Sequence, residues 1–170
     1  IEISNIVDKA TAQEAMQLPK DKINILFGGA FSNLRKNVAL AHAALEIVNR
    51  EDINLIEMRG FNREQVTQLF CGCDMLLLPT KSEGSPQVLK EAMAYNCPVV
   101  ATDVADIAYL LDGVSNSYVT SFDPQDVAKK ISCVLECGQR TNGRERIEKL
   151  KLENSQVAKT IYSIYQQVLS

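Results

Sequence analysis

Short apolar segments alternate with longer segments of helical periodicity through most of the chain. The apolar segments have the length and content of buried strands, and they occur at INILFG, INLIEM, DMLLLP, CPVVAT and SYVT. Segments with helical spacing separate them, at KNVALAHAALEIV, REQVTQLFCGC, PQVLKEAMAY and DIAYLL. Because such alternation is typical of right-handed crossovers, the pattern predicts a parallel sheet with helices on both faces, a doubly wound, Rossmann-like α/β fold.

The flanking segments add helices to this pattern. TAQEAMQLPKDK predicts a short helix that stops before Pro19, and Asp123 caps a predicted helix that begins at Pro124. A polar helical tail is predicted from about Arg144 to Leu169. We therefore expect a lead-in at 1–20, one domain at 21–140, and C-terminal helices at 141–170 that pack on the same domain. In the first long helix, we expect one buried side, formed by Val38, Ala41, Leu45 and Val48.

Composition narrows the class of protein. The chain has 170 residues, 46% of them hydrophobic, which suffices for one domain with a real core. A net charge of -3 without a Lys/Arg stripe argues against a nucleic-acid partner, and no apolar run approaches the ~20 residues needed to cross a bilayer. The chain begins at Ile1 without a leader sequence, so we expect a piece of a longer, cytoplasmic polypeptide.

The five cysteines and the single histidine lack the spacing of a metal site. Cys71 and Cys73 end a helical pattern, and we interpret them as small buried packing residues rather than a metal or redox pair. His42 lies between two alanines in a helical segment and receives the same structural interpretation.

Two loops are expected to form one cleft. In an open parallel sheet, ligands bind outside the carboxyl ends of the strands, at the point where the strand order reverses. With strands in the order 2-1-3-4-5, that point lies between the loops after the first and third strands. These loops are GGAFSNLRKN and TKSEGSPQ, and both are rich in glycine, small polar residues and charge.

The second of these loops predicts an anion site. Ser85 is a favourable N-cap and Pro86 is favourable as the first helical residue, which leaves the amides of Gln87 and Val88 unpaired. These amides and the positive end of the helix dipole favour a phosphate, and Gly84 allows a ligand to approach the backbone. In the first of these loops, Arg35 and Lys36 are expected to open the helix that follows, where basic side chains oppose the helix dipole. They are therefore better explained as facing an anion.

Glu83 and Glu91 lie on either side of this expected phosphate site. An ionised glutamate accepts hydrogen bonds, so each could bind the hydroxyl groups of a sugar on one side of a diphosphate. The alternative for both acids is a solvated surface position, as it is for Arg35 and Lys36. The intervening Gly-Ser-Pro and the buried strand before it favour the functional interpretation.

With these residues in place, the sequence resembles the C-terminal, donor-binding domain of the family 4 retaining glycosyltransferases, which have the two-domain GT-B architecture. The resemblance rests on an E-x7-E motif, EGSPQVLKE, followed by AMAYNCPVVATDVADIAYLL, and on ILFGGAFSNLRKN with its glycine turn at Gly28 and Gly29. It covers most of the range from Ile23 to Val134, and it identifies 21–140 as a nucleotide-sugar-binding domain.

The resemblance implies a UDP- or GDP-sugar donor as substrate, with no cofactor and no metal. It implies that Glu83 contacts the donor sugar, Glu91 the nucleotide ribose and Lys36 the diphosphate, with Glu83 and Lys36 as catalytic residues. No D-x-D motif occurs in the chain, in agreement with a metal-independent reaction. The acceptor, a saccharide or a lipid-linked saccharide in polysaccharide or glycolipid assembly, would bind a missing N-terminal domain, which could also contact the inner membrane face.

Two departures from the family pattern concern the donor site. Ala30 occupies the position where the family has an arginine after the turn glycine, a role that Arg35 could take instead. The segment from Ile53 to Phe61 is also short, which leaves Arg59, Gly60 and Phe61 as the candidates to contact the base.

Three other functions are compatible with the same fold. A sugar-nucleotide epimerase half has a similar architecture, but EGSPQVLKE resembles the transferases more closely. A receiver module of the response-regulator kind needs an acceptor aspartate at the end of the third strand, where this chain has Pro79 and Thr80. A non-catalytic, Rossmann-like binding module is favoured only by Ala30.

Overall fold

The computed structural model describes residues 1–2 and 5–169, with side chains through residue 167. Five parallel strands form one sheet in the order β2-β1-β3-β4-β5. Their bounds are Ile23–Phe27 (β1), Ile53–Glu57 (β2), Met75–Leu78 (β3), Val99–Thr102 (β4) and Tyr118–Thr120 (β5). The predicted fold class and strand order are thereby confirmed.

Helices follow or precede every strand. They are Lys9–Ala15 (α1), Val38–Val48 (α2), Arg63–Gly72 (α3), Gln87–Ala94 (α4), Ile107–Leu111 (α5), Pro124–Cys137 (α6), Gly143–Lys149 (α7) and Asn154–Leu169 (α8). The Asp123 cap is confirmed, because its side chain accepts a hydrogen bond from the amide of Gln125 and Pro124 is the first helical residue.

The sheet separates two hydrophobic cores. Alternate strand residues point to opposite faces, so Leu26, Leu76 and Leu78 join one core while Ile25, Phe27 and Leu77 join the other. The first core includes side chains of α1, α3, α4, α5 and α7, and the second includes those of α2 and α6. Both faces of the central strands are therefore buried, which explains why their sequences are mostly apolar.

The first long helix begins later than the sequence predicts. Arg35 and Lys36 lie on a one-turn 3-10 helix, Leu34–Lys36, and Asn37 in the left-handed conformation separates this turn from α2. The prediction that Arg35 and Lys36 open the long helix was therefore wrong, because a left-handed residue cannot continue an α-helix. The buried side of α2 consists of Leu40, Ala41 and Ala44, whereas Val38, Leu45 and Val48 are only partly buried.

The described residues outside 21–140 form three helices. α1 packs against α3 with Ala12 completely buried, and α7 packs against α4 so closely that a Cβ at Gly143 would lie 2.8 Å from Met93. The predicted polar tail forms two helices, α7 and α8. The second presents a partly apolar surface, because five large hydrophobic side chains are exposed along it: Val157, Ile161, Tyr162, Ile164 and Tyr165. The proposed boundaries at residues 20 and 140 stay a prediction, and residue 170 lies outside the described residues. Among the helices described, none is long and apolar enough to cross a membrane.

Candidate functional site

The loops after β1 and β3 are joined by hydrogen bonds at the carboxyl edge of the sheet. The amide of Lys81 donates to the carbonyl oxygen of Arg35 at 2.9 Å, and the Thr80 hydroxyl lies 3.2 Å from the same oxygen. The sequence predicted that these two loops form one cleft, and the structure places them in direct contact.

Lys36 and Glu83 meet where the two loops join. The Nζ atom of Lys36 lies 2.7 Å from Oε1 of Glu83, and the two side chains are only 13% and 10% exposed. Oε1 of Glu83 also lies 3.0 Å from the Thr80 hydroxyl. The carboxylate is thus held from two sides, and a lysine charge is fixed where the two loops join.

The three glycines of these loops differ in what a Cβ atom would meet at each position. A Cβ at Gly28 would lie 2.6 Å from Cδ1 of Leu78, so Gly28 is required for packing between strands. A Cβ at Gly29 would lie 2.8 Å from Cγ of Lys36, which means that Gly29 makes room for the lysine side chain on its way to Glu83. Gly84 faces open space, as expected for a position where a ligand approaches the backbone.

The amino end of α4 carries no side-chain cap, in contrast to the prediction for Ser85. The helix begins at Gln87, and Pro86 precedes it with an extended ψ of 116° instead of being the first helical residue. The Ser85 hydroxyl donates to Oδ2 of Asp106 at 2.5 Å, so Ser85 does not accept from the amides of Gln87 and Val88. The predicted N-cap was therefore wrong, but its consequence for the site is favourable, because the first-turn amides are left for an anion.

Glu91 lies on the second turn of α4, away from the Lys36–Glu83 pair. It lines a cavity of about 20 Å³ between α3 and α4, together with Arg63, Phe70 and Tyr95. Burial raises the pKa of its carboxyl group above the ordinary value, and the charge of Arg63 partly opposes this effect. Within the part of the chain that the structure describes, its carboxylate accepts no hydrogen bond.

The remaining predicted site residues lie on the loops after β1 and β2. The backbone of Arg35 joins the loops, and its side chain is exposed. Its role in place of an arginine at the position of Ala30 stays a prediction. In the loop after β2, Arg59 is exposed, Gly60 adopts a left-handed φ of 79°, and Phe61 packs against the core near α3. The base contacts assigned to these three residues stay a prediction.

Sequence reasoning missed three residues that hold these loops. Thr80 is completely buried, and its hydroxyl lies within hydrogen-bond distance of Glu83. Glu57, at the end of β2, accepts a hydrogen bond from the amide of Phe31 at 2.7 Å. Asp106, directly before α5, accepts from Ser85. Each is a polar residue at or just after the carboxyl end of a strand, or directly before a helix, and that position was the available signal.

The cysteines do not contribute to this site. Cys71, Cys73 and Cys97 are buried, which confirms the structural interpretation of the C-x-C pair, and burial raises the pKa of Cys97 to about 11. Among the described residues, no three His, Cys, Asp or Glu side chains are grouped so that they could hold a metal ion. Metal independence stays a prediction.

Residues 13–137 match the family described as glycosyl transferases group 1. The chain belongs to this family. The resemblance stated from the E-x7-E motif is thereby confirmed. Every candidate site residue, from Gly28 to Glu91, lies inside the matched range.

Individual relatives agree with the family match. The chain is 31% identical to the D-inositol 3-phosphate glycosyltransferase of Mycolicibacterium smegmatis, over 72% of this chain and 28% of the relative. It is 29% identical to the N,N'-diacetylbacillosaminyl-diphospho-undecaprenol alpha-1,3-N-acetylgalactosaminyltransferase of Campylobacter jejuni, over 72% of this chain and 31% of the relative. The chain therefore spans less than a third of the length of these curated relatives.

The fold has solved counterparts. The sucrose-phosphate synthase of Thermosynechococcus elongatus superimposes with a TM-score of 0.81 at 20% identity, over 99% of this chain and 51% of that chain. This likeness confirms the GT-B type of Rossmann-like fold, of which the present chain corresponds to one half.

Proposed function

We propose that the chain is the nucleotide-sugar-binding half of a retaining, metal-independent glycosyltransferase. The diphosphate of a UDP- or GDP-sugar would bind between Lys36 and the first-turn amides of Gln87 and Val88. Glu83 would contact the donor sugar and Glu91 the ribose. The observation that carries this proposal is the fixed Lys36–Glu83 pair on the loop that leads into the uncapped amino end of α4.

The arrangement supports stabilisation of a leaving group. As the bond between sugar and phosphate breaks through an oxocarbenium-like state, negative charge grows on the diphosphate. Lys36 and the helix amides are donors held in place before that charge develops, and such fixed donors are typically worth about 10²–10³ in rate each. Because Glu83 already contacts Lys36, the donor would lie across both residues, with its phosphate at the lysine and its sugar at the carboxylate.

Among the described residues, none donates a hydrogen bond to the Glu91 carboxylate, which supports its role toward the ribose. A half-buried carboxylate without a hydrogen bond is unfavourable for folding, and ribose hydroxyls are donors of the right kind to satisfy it. The cavity next to Glu91 continues toward Arg63 at the start of α3, on the side where Arg59, Gly60 and Phe61 would meet the base.

The acceptor belongs to the part of the protein outside this chain. The names of the two curated relatives describe sugar transfer to an inositol phosphate and to a lipid diphosphate, and these names support an acceptor in polysaccharide or glycolipid assembly. We propose that the chain alone binds the donor weakly and transfers no sugar, in the cytoplasm or at its membrane face. Sugar transfer at ordinary rates by the isolated chain would contradict this division of work.

A thermal-shift panel of UDP, GDP, ADP and their sugars tests the proposal. A nucleotide at a hundred times its dissociation constant stabilises the folded state by about 2.7 kcal/mol, which is measurable even for weak binding. We expect one base to be preferred, the matching nucleoside to give no shift, and Lys36→Met to abolish the shift. If no nucleotide stabilises the chain, or if Lys36→Met retains the full shift, the proposal is wrong.

A further inference from the structure

Ser85 and Asp106 connect the loop before α4 to the loop before α5. The Ser85 hydroxyl donates to Oδ2 of Asp106, and Asp106 is the residue immediately before α5. This contact commits the side chain that the sequence favours as the N-cap of α4 to a different partner.

The same chain shows what happens without such a competitor. At α6, Asp123 precedes Pro124 as Ser85 precedes Pro86, and there the side chain accepts from the amide two residues on while the proline enters the helix. Both sequences favour that arrangement, because a capping side chain followed by proline at the first helical position is favourable. At α4 the proline is instead extended and the helix lacks a side-chain cap.

The contact is formed at a local cost. Oδ1 of Asp106 is buried, and within the described residues no group donates a hydrogen bond to it. Ala105, next to it, has a φ of 53°, in the left-handed region that is unfavourable for residues with a Cβ. Unsatisfied acceptors and strained residues are concentrated at functional sites, so a role beyond packing is indicated.

We infer that Asp106 is a positioning residue that keeps Ser85 away from α4, so that the amides of Gln87 and Val88 stay free for the diphosphate. This inference rests on the proposed function for its purpose, but the effect on Ser85 is a property of the chain alone. Removal of the Asp106 carboxylate releases Ser85 and Pro86 to form the cap that Asp123 and Pro124 form at α6.

Amide hydrogen exchange on the 170-residue chain tests the effect without a ligand. In Asp106→Ala, exchange of the Gln87 or Val88 amide is expected to slow about fivefold, as for a newly formed N-cap. The double variant Asp106→Ala/Ser85→Ala is expected to return to the wild-type rate, and Asp106→Asn, which keeps an acceptor for Ser85, to match wild type. Equal exchange in Asp106→Ala and the double variant, in chains with native circular dichroism, overturns the inference.

Calorimetric binding of inorganic pyrophosphate tests the consequence. Asp106→Ala and the double variant both lack the carboxylate charge, so a comparison of these two isolates the cap. We expect the double variant to bind pyrophosphate about fivefold more tightly than Asp106→Ala, because Ser85 no longer competes for the amides. Equal affinity of the two variants overturns the inference. If wild type binds no pyrophosphate, the proposed function fails, whereas the exchange experiment still decides what Asp106 does to Ser85.

Discussion

Lys36 and Glu83 are 47 positions apart in sequence, and their charged atoms meet at 2.7 Å in a place where both side chains are almost buried. The pair joins the loop after β1 to the loop after β3. It is therefore a structural connection of the cleft as well as the proposed chemical centre of the site.

Removal of one partner of this pair should destabilise the chain. Glu83→Gln leaves the Lys36 charge without its carboxylate, and we expect a loss of about 3 kcal/mol in the free energy of unfolding, as for a buried ion pair. Urea unfolding measures this loss. The double variant Lys36→Met/Glu83→Gln should lose less than the two single losses added together, because neither charge is then left unpaired.

The exposed pair of Lys9 and Asp74 provides the matched control. Its charged atoms are similarly close, at 2.6 Å, but the side chains are 45% and 23% exposed. Lys9→Met should therefore cost about 0.5 kcal/mol. Equal losses for Lys9→Met and Lys36→Met would show that burial does not strengthen the Lys36–Glu83 pair.

Gly29 should tolerate no side chain, because Lys36 crosses it. In Gly29→Ala the new Cβ would displace the lysine from Glu83, so both stability and nucleotide binding should fall. Gly84→Ala is the control, since that position faces open space and the unfolding free energy should change by less than about 0.5 kcal/mol. Urea unfolding of the two variants checks this order, and a stable Gly29→Ala chain with normal binding would contradict the described path of Lys36.

Much of the fold follows from the sequence because the central strands are buried on both faces and the helices are amphipathic. The path of the loops follows less directly. Ser85 has the sequence of an N-cap, and only the tertiary contact with Asp106, 21 positions away, redirects it. The break at Asn37 depends on a left-handed backbone that periodicity cannot reveal. The candidate site was predicted from residue types, whereas the supporting roles of Thr80 and Glu57 depend on contacts between distant loops.

Glu91 should make stability depend on pH. Its pKa is raised in the folded state by burial, so the stability that the protonated group contributes is fully present below about pH 4.5 and is lost as the pH rises through the raised pKa. Glu91→Gln stays neutral and avoids that loss. We expect Glu91→Gln to match wild type near pH 4 and to be more stable at pH 7.

The same substitution should weaken nucleotide binding. Loss of a charge-assisted hydrogen bond to the ribose is expected to cost roughly 1.5–3 kcal/mol of binding free energy. Unfolding at the two pH values and calorimetry at pH 7 measure both effects. A variant that is less stable at pH 7 and binds normally would show that Glu91 has a structural role only.

Thiol reactivity should report the packing of the core. Cys137 is exposed and should react quickly with an aromatic disulfide at pH 8, whereas Cys71, Cys73 and Cys97 are buried and should react only through unfolding. Burial raises the pKa of Cys97 to about 11 and that of Cys73 well above its ordinary value, so little thiolate is present. In denaturant all five thiols should react. Rapid native-state reaction of the three buried thiols would contradict the described core.

The most direct test of the donor site is an amide chemical-shift titration of the ¹⁵N-labelled chain with UDP and GDP, and with uridine and guanosine as controls. We predict that a nucleoside diphosphate shifts the amides of Gln87 and Val88 together with that of Lys36, and that the matching nucleoside leaves them unchanged. Nucleotide binding that shifts other amides and leaves Gln87 and Val88 in place would contradict the assignment of the diphosphate to the amino end of α4.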